Sequence, residues 1–215
     1  MENLLNVKAK DFEKYINLDR YELVENEDNS FIKTIILVNT ENNALTAEID
    51  EFNSSLTNHM FRTLVFKENG VANRDNGPAK IEFMDGKIVE VGYSKNGVGF
   101  AGLNVPSRIR FYENGDVKEI AYSNSNQKLS RTNGPAVVTY LLDGTVENGF
   151  YINGEKFTQK QYENIISSVN SKGYLRSLSR AKLPRLLIIQ QVLKENGIID
   201  EALEAKIVVL KLEEV

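Results

Sequence analysis

Ten residues starting at Arg74, RDNGPAKIEF, return 57 positions later as RTNGPAVVTY from Arg131. A repeat at fixed period constrains a fold more than any single motif, because each copy has to bury its apolar face against its neighbours. Aligned on their prolines, three segments superpose: NGPAKIEF with Pro78, NVPSRIRF with Pro106 and NGPAVVTY with Pro135. Each has Asn two residues before the proline and an aromatic five after it, namely Phe83, Phe111 and Tyr140. A turn glycine follows at Gly86, Gly115 and Gly144, then a tyrosine seven residues on at Tyr93, Tyr122 and Tyr151. Both of these series step by 29 residues. A partial leading unit, LVFKENG, supplies Phe66 and Gly70.

The physics of one copy is legible. Ala79, Ile81 and Phe83 alternate with Lys80, Glu82 and Met84, the period-two signature of a half-buried strand. Asp-Gly supplies the positive φ angles of a tight turn, and KIVEVGY returns antiparallel. One hairpin alone is marginal in water, so the copies are expected to pair edge to edge. Residues 61–157 are therefore read as an antiparallel β-hairpin repeat sheet in an α+β protein.

Residues 1–60 read as an N-terminal α/β segment. AKDFEKYINL places Phe12, Tyr15 and Ile16 on one helical face, and RYELV and SFIKTIILV read as strands separated by a polar turn, ENEDN. ALTAEIDEF reads as a third strand or a short helix. Residues 158–215 read as a C-terminal helical module. Thr158 and Gln161 have capping-box spacing ahead of the stripe Tyr162, Ile165, Ile166 and Val169. GYLRSLSRA reads as a second short helix. Pro184 is expected in the first turn of a third, Asn196-Gly197 at its end, and Asp200 as the cap of a last helix with Leu203, Ile207 and Leu210 on one face.

These hairpin markers, Tyr/Phe-x-x-Asn-Gly, then Arg-x-x-Gly-Pro-Ala, an aromatic and Asp-Gly, resemble the MORN-type repeat superfamily, and its divergent branch in antitoxin-like and phage proteins most closely. The resemblance covers Phe66 to about Gly154. The middle copy departs from it, with Gly102 where its neighbours have Arg74 and Arg131, and Val105-Pro106-Ser107 for Gly-Pro-Ala. Trp is absent. The resemblance implies a platform that binds proteins or lipids and carries no shared catalytic residue. It also implies a protein partner, a toxin or a host-defence effector that this chain neutralises.

The residues themselves narrow the chemistry. With no Cys and one His, His59, thiolate catalysis and multi-His or Cys metal sites are excluded, and a surface position is expected for His59. The acidic run Glu25, Glu27, Asp28 matches no calcium loop and reads as a solvated turn. Glu90 and Glu119 occupy equivalent positions and are the candidate acids of a hydrolase alternative. A formal charge of -4 argues against a wholesale nucleic-acid binder, but Lys172, Arg176, Arg180, Lys182 and Arg185 form a local basic patch that keeps a nucleic-acid alternative open. No cofactor, metal or catalytic residue is expected, and neither is a membrane span or a secretory leader, which points to the cytoplasm. The partner-binding residues expected are Arg108, Arg110 and Tyr112, the tyrosines Tyr93, Tyr122 and Tyr151, and Arg176 with Arg180. Arg108 and Arg110 stand on the face opposite Ile109 and Phe111, and the other copies have no such pair. Arg74 and Arg131 are expected to bond turn carbonyls or a neighbouring acid. A homodimer and a virion component are further possibilities for a sheet whose edges need covering.

Overall fold

A computed structural model describes residues 7–28, 32–54, 57–99, 102, 105–171 and 182–213. Twelve strands, a 3-10 helix and three α-helices are present among the described residues, an α+β content. The chain divides into two compact units, Met1–Gln127 with Val138–Glu147, and Lys128–Val137 with Asn148–Val215.

In the first unit a 3-10 helix, Ala9–Tyr15, precedes β1 (Tyr21–Asp28), β2 (Lys33–Asn39), β3 (Leu45–Ser54), β4 (His59–Glu68) and the short β5 (Val71–Ala72). Two hairpins follow: β6 (Lys80–Met84) with β7 (Lys87–Gly92), and β8 (Arg108–Phe111) with β9 (Val117–Ala121). The strands lie in chain order, all antiparallel, with β5 paired only to β4. β1 runs on through Asp28, where a turn was expected, because Glu25, Asn26 and Glu27 pair with Ile36, Ile35 and Thr34. Backbone pairing along a strong β2 outweighs the turn-forming composition of that segment.

Alternation decides which face is buried. Leu64, Ile81, Val91, Ile109 and Ile120 line up across the ladder and are buried, as are Phe83, Phe111 and Phe66. Burying such a side chain contributes roughly 1.5–3 kcal/mol. The 3-10 helix closes this core with Ala9 and Phe12, and Tyr15 and Ile16 pack beside them. The Phe12 ring lies 5.7 Å from that of Phe111. The helix is pinned to the β8–β9 turn, since Ala9 N donates to Gly115 O at 3.0 Å and Lys8 pairs with Asp116.

The β6–β7 and β8–β9 hairpins share one irregularity. Glu82 pairs with Glu90 and Phe83 with Ile88, so Val89 is an extra residue; Arg110 pairs with Glu119 and Phe111 with Val117, so Lys118 is the extra one. Such bulges shift the side-chain phase by one. As a result Ile88 and Val91, and likewise Val117 and Ile120, are buried although three residues apart. The two motif arginines also act alike. Arg74 NH1 donates to Pro78 O (3.5 Å) and Tyr15 O (3.0 Å), and Arg131 NH1 donates to Pro135 O (3.3 Å), the carbonyl bonds expected of them.

The tyrosines point inward. Tyr122 is 3% exposed and belongs to the first unit's core, and Tyr93 packs against that core. Burial pushes the Tyr93 hydroxyl up to about 12. An acid whose pKa rises on folding, from an ordinary value near 10, favours the folded state below pH 10, and that advantage disappears as the pH climbs from 10 to 12. Tyr93→Phe should remove this part of the alkaline loss, read as stability from urea titrations between pH 9 and 12. An unchanged slope would contradict the buried hydroxyl.

β10 (Val137–Tyr140) and β11 (Val146–Ile152) come next in the chain, and in the second unit the part of β11 from Asn148 on pairs with β12 (Glu155–Phe157), with Phe150 opposite Phe157. The helices are α1 (Gln159–Asn170), α2 (Leu183–Glu195) and α3 (Glu201–Glu213). The capping box forms as expected, with Gln161 N donating to Thr158 Oγ1 at 3.3 Å and Thr158 N to Gln161 Oε1 at 2.9 Å. Pro184 lies in the first turn of α2, Gly197 has φ +69° after its end, and Asp200 Oδ1 accepts from Leu203 N at 2.9 Å. Tyr162, Val169, Leu186, Leu203 and Ile207 form this unit's core with Ile152. A polar network is buried beside it, where Ser130 Oγ donates to Glu195 at 2.6 Å and Tyr162 Oη accepts from Gly134 N (2.9 Å) while donating to Arg131 O (3.0 Å). The short helix expected over GYLRSLSRA, with Lys172, Arg176 and Arg180, lies outside the described residues.

Candidate binding face

The alternation that buries Ile81, Ile109 and Ile120 sends the intervening residues to the other face of the first unit's sheet. Among the described residues of β2–β9, Ala121, opposite Arg108, is the one buried apolar side chain on that face. Across it the register runs Glu82, Glu90, Arg110, Glu119. At one end stands an apolar row, Phe52, Phe61 and Met84, with the two Phe rings stacked at 5.0 Å.

Arg108 and Arg110 occupy this face as the alternation requires, and both are held by acids. Arg110 Nε donates to Glu90 Oε2 at 2.7 Å, and Arg108 NH2 to Glu119 Oε1 at 2.6 Å. The crossed pairs are longer, 3.8 Å from Arg108 Nε to Glu90 and 3.7 Å from Arg110 NH1 to Glu119. The Glu90 hydrogen bond raises the Arg110 pKa further, against the opposing effect of burial. The glutamate side chains are 17% and 21% exposed and that of Arg110 44%, so the acids lie deeper than the base they hold. Ion pairs this exposed contribute about 0–1 kcal/mol each to stability; what the lattice supplies is a fixed geometry for two guanidinium groups.

Glu90 and Glu119 do not form a carboxylate pair. β8 lies between their strands, and each acid is held by the two arginines.

Beside Arg110 opens a cleft of about 440 Å3, bordered by Met84, Val89, Tyr112, Glu113 and Lys118. Tyr112 Oη donates to Tyr140 O at 2.7 Å, and Lys118 Nζ stands 5.6 Å from the Tyr112 ring centre. Val89 and Lys118 are the bulge residues, and alternation counted along the sequence passes over them. The signal for them is the three-residue spacing of apolar residues in KIVEV and DVKEI.

Of the other expected contact residues, Tyr122 is a correction: buried in the core, it offers no outer surface. Tyr93 is largely turned inward with it, and its parity with Val91 gives the reason. Tyr151 belongs to the second unit, is half-buried and has Lys156 Nζ 5.9 Å from its ring. Arg176 and Arg180 lie outside the described residues. His59 is half-exposed at the start of β4, its Nδ1 2.5 Å from Asp85 Oδ2. Asp85 also accepts from Met60 N at 2.9 Å, and that backbone bond, with the His59 contact, lowers its pKa. Among the described residues no group of three or more His, Cys, Asp or Glu is placed to hold a metal ion, and no helix is long and apolar enough to cross a membrane. No family model, curated protein or solved structure matches the chain.

Proposed function

We propose that this protein is a binding module of MORN-like hairpin-repeat architecture, working by association and not by catalysis, and that it engages another protein through the Arg108/Arg110 face of its sheet. The observation that carries the reading is the clamped arginine pair beside the cleft. Glu90 and Glu119 have already restricted both guanidinium side chains, so less rotamer entropy is lost when a partner binds. Arg110 and Tyr112 are of the residue types that dominate interface energetics.

The resemblance to antitoxin-like and phage proteins supports a toxin or host-defence effector as the protein neutralised, in the cytoplasm. The test is affinity capture from the source cells with the intact chain, Arg110→Gln and Arg108→Glu/Arg110→Glu, each checked for folding by thermal melting. The intact chain should retain one protein at equal stoichiometry, and the double variant should lose at least about 100-fold in affinity, the loss of a hot-spot pair. Equal retention by the double variant refutes the face. A chain that captures nothing and turns over a substrate refutes the function.

A further inference from the structure

A different part of the first unit holds a cation without a counter-ion. Arg74 lies half-buried in a polar cleft of about 570 Å3, which Tyr21, Leu45, Phe66 and Asn76 also line. Its guanidinium carbon stands 3.7 Å from the centre of the Phe66 ring and 5.3 Å from that of Tyr15. Buried charges are normally paired. Yet no described carboxylate comes within ion-pair distance of Arg74, and burial lowers its pKa against a smaller opposing effect of Tyr21 and Tyr15. Its hydrogen bonds to Tyr15 O and Pro78 O both use NH1. Of the five donors of a guanidinium, the Nε–H and the two on NH2 have no hydrogen-bond partner among the described residues. They are not sealed in the interior either, since Arg108 Nε is the one buried and unbonded side-chain donor among the described residues. Arg131, the copy of Arg74, differs here: its Nε donates to Asn133 at 3.0 Å, and Asn76, the residue matching Asn133, makes no such bond to Arg74.

We infer that the Arg74 cleft binds a carboxylate carried on an apolar body, with the Nε and NH2 edge of the guanidinium as its fork and Tyr21 and Leu45 as its walls. A planar carboxylate matches two parallel guanidinium N–H donors. The other charges lining the cleft select a single negative charge. Arg20 is paired with Glu41 and Lys67 with Glu48, leaving Glu68 and Asp75 against Arg74. A doubly charged phosphate meets more repulsion there than a monocarboxylate does. The site is independent of the Arg108/Arg110 face. A free organic acid and the C-terminal carboxylate of a peptide both offer this chemistry.

The experiment is an NMR titration of the full chain, following the Arg74 Nε–Hε resonance and the Asn76 and Gly77 backbone amides. The probes are 3-phenylpropionate, its neutral amide, inorganic phosphate, and a pentapeptide ending in Phe with a free or an amidated C-terminus. The acid should give saturable shifts while the amide, phosphate and matched sodium chloride do not. Tighter binding of the free-acid peptide assigns the site to chain termini, and tighter binding of phenylpropionate assigns it to small acids. Asp75→Asn removes an exposed like charge that makes no hydrogen bond among the described residues and should tighten the acid about threefold. Arg74→Lys, with its fold checked on the amide spectrum, should weaken it at least about tenfold, because a point charge replaces the fork. Equal shifts with the amide or with chloride, or an Asp75→Asn variant that binds no tighter, overturn the assignment.

Discussion

Gly77→Ala is expected to destabilise the protein by about 3–5 kcal/mol, while the same change at the matching glycine, Gly134→Ala, costs only about 1–3 kcal/mol. Both glycines hold φ angles that side chains rarely adopt, +145° and +152°. The difference lies in what a methyl group meets. At Gly77 it would stand 2.6 Å from Tyr15 Cε1 and 2.7 Å from Cδ1, whereas at Gly134 the nearest atom is Arg131 NH1 at 3.6 Å, an ordinary contact. Tyr15 has little room to yield, because its ring lies beside Phe12 and Arg74 and its carbonyl accepts from Arg74. Urea unfolding of the two variants measures the gap. In the Tyr15→Ala background the Gly77→Ala cost should fall to that of Gly134→Ala; if it stays as large, the ring is not the obstacle.

The second large effect is at Phe111→Ala, with a loss of about 3–5 kcal/mol. Phe111 is 5% exposed and touches the Phe12 ring, so the substitution opens the core where the 3-10 helix is seated. Phe12→Ala removes the same contact from the other side. The double variant should therefore cost less than the sum of the two single changes, by about 0.5–1.5 kcal/mol for the aromatic pair. Hydrogen exchange at the Ala9 amide, bonded to Gly115 O, should accelerate in either single variant. Strict additivity with a protected Ala9 amide would mean that the helix is held by other contacts.

Much of this fold could be read from the residues, and the reasons differ from place to place. The β6–β7 and β8–β9 hairpins followed from alternation and from Asp-Gly and Asn-Gly turns, and the helix boundaries of the second unit from local capping chemistry at Thr158, Pro184, Gly197 and Asp200. Both kinds of signal act within a few residues. The extent of β1 was hidden because pairing to β2 depends on a neighbour in space. The candidate face was legible in its arginines, and its acids were noticed. That Glu90 and Glu119 flank those arginines follows only from strand order, with β8 between β7 and β9. Tyr93 and Tyr122, expected as contact residues, turn inward because each lies two residues along its chain from a buried residue, Val91 or Ile120. The Tyr15–Gly77 and Arg74–Phe66 contacts join segments whose closeness in space no local pattern announces.

The matched bulges at Val89 and Lys118 bear on how a chain of this kind tolerates insertion and loss. Each hairpin carries its own phase correction, so a whole copy of about 29 residues is added or removed without exchanging inside for outside in what remains. A single residue gained or lost within an arm brings no such correction, and it turns every later side chain of that arm to the wrong side. Surviving length variants should therefore differ in steps of a complete hairpin.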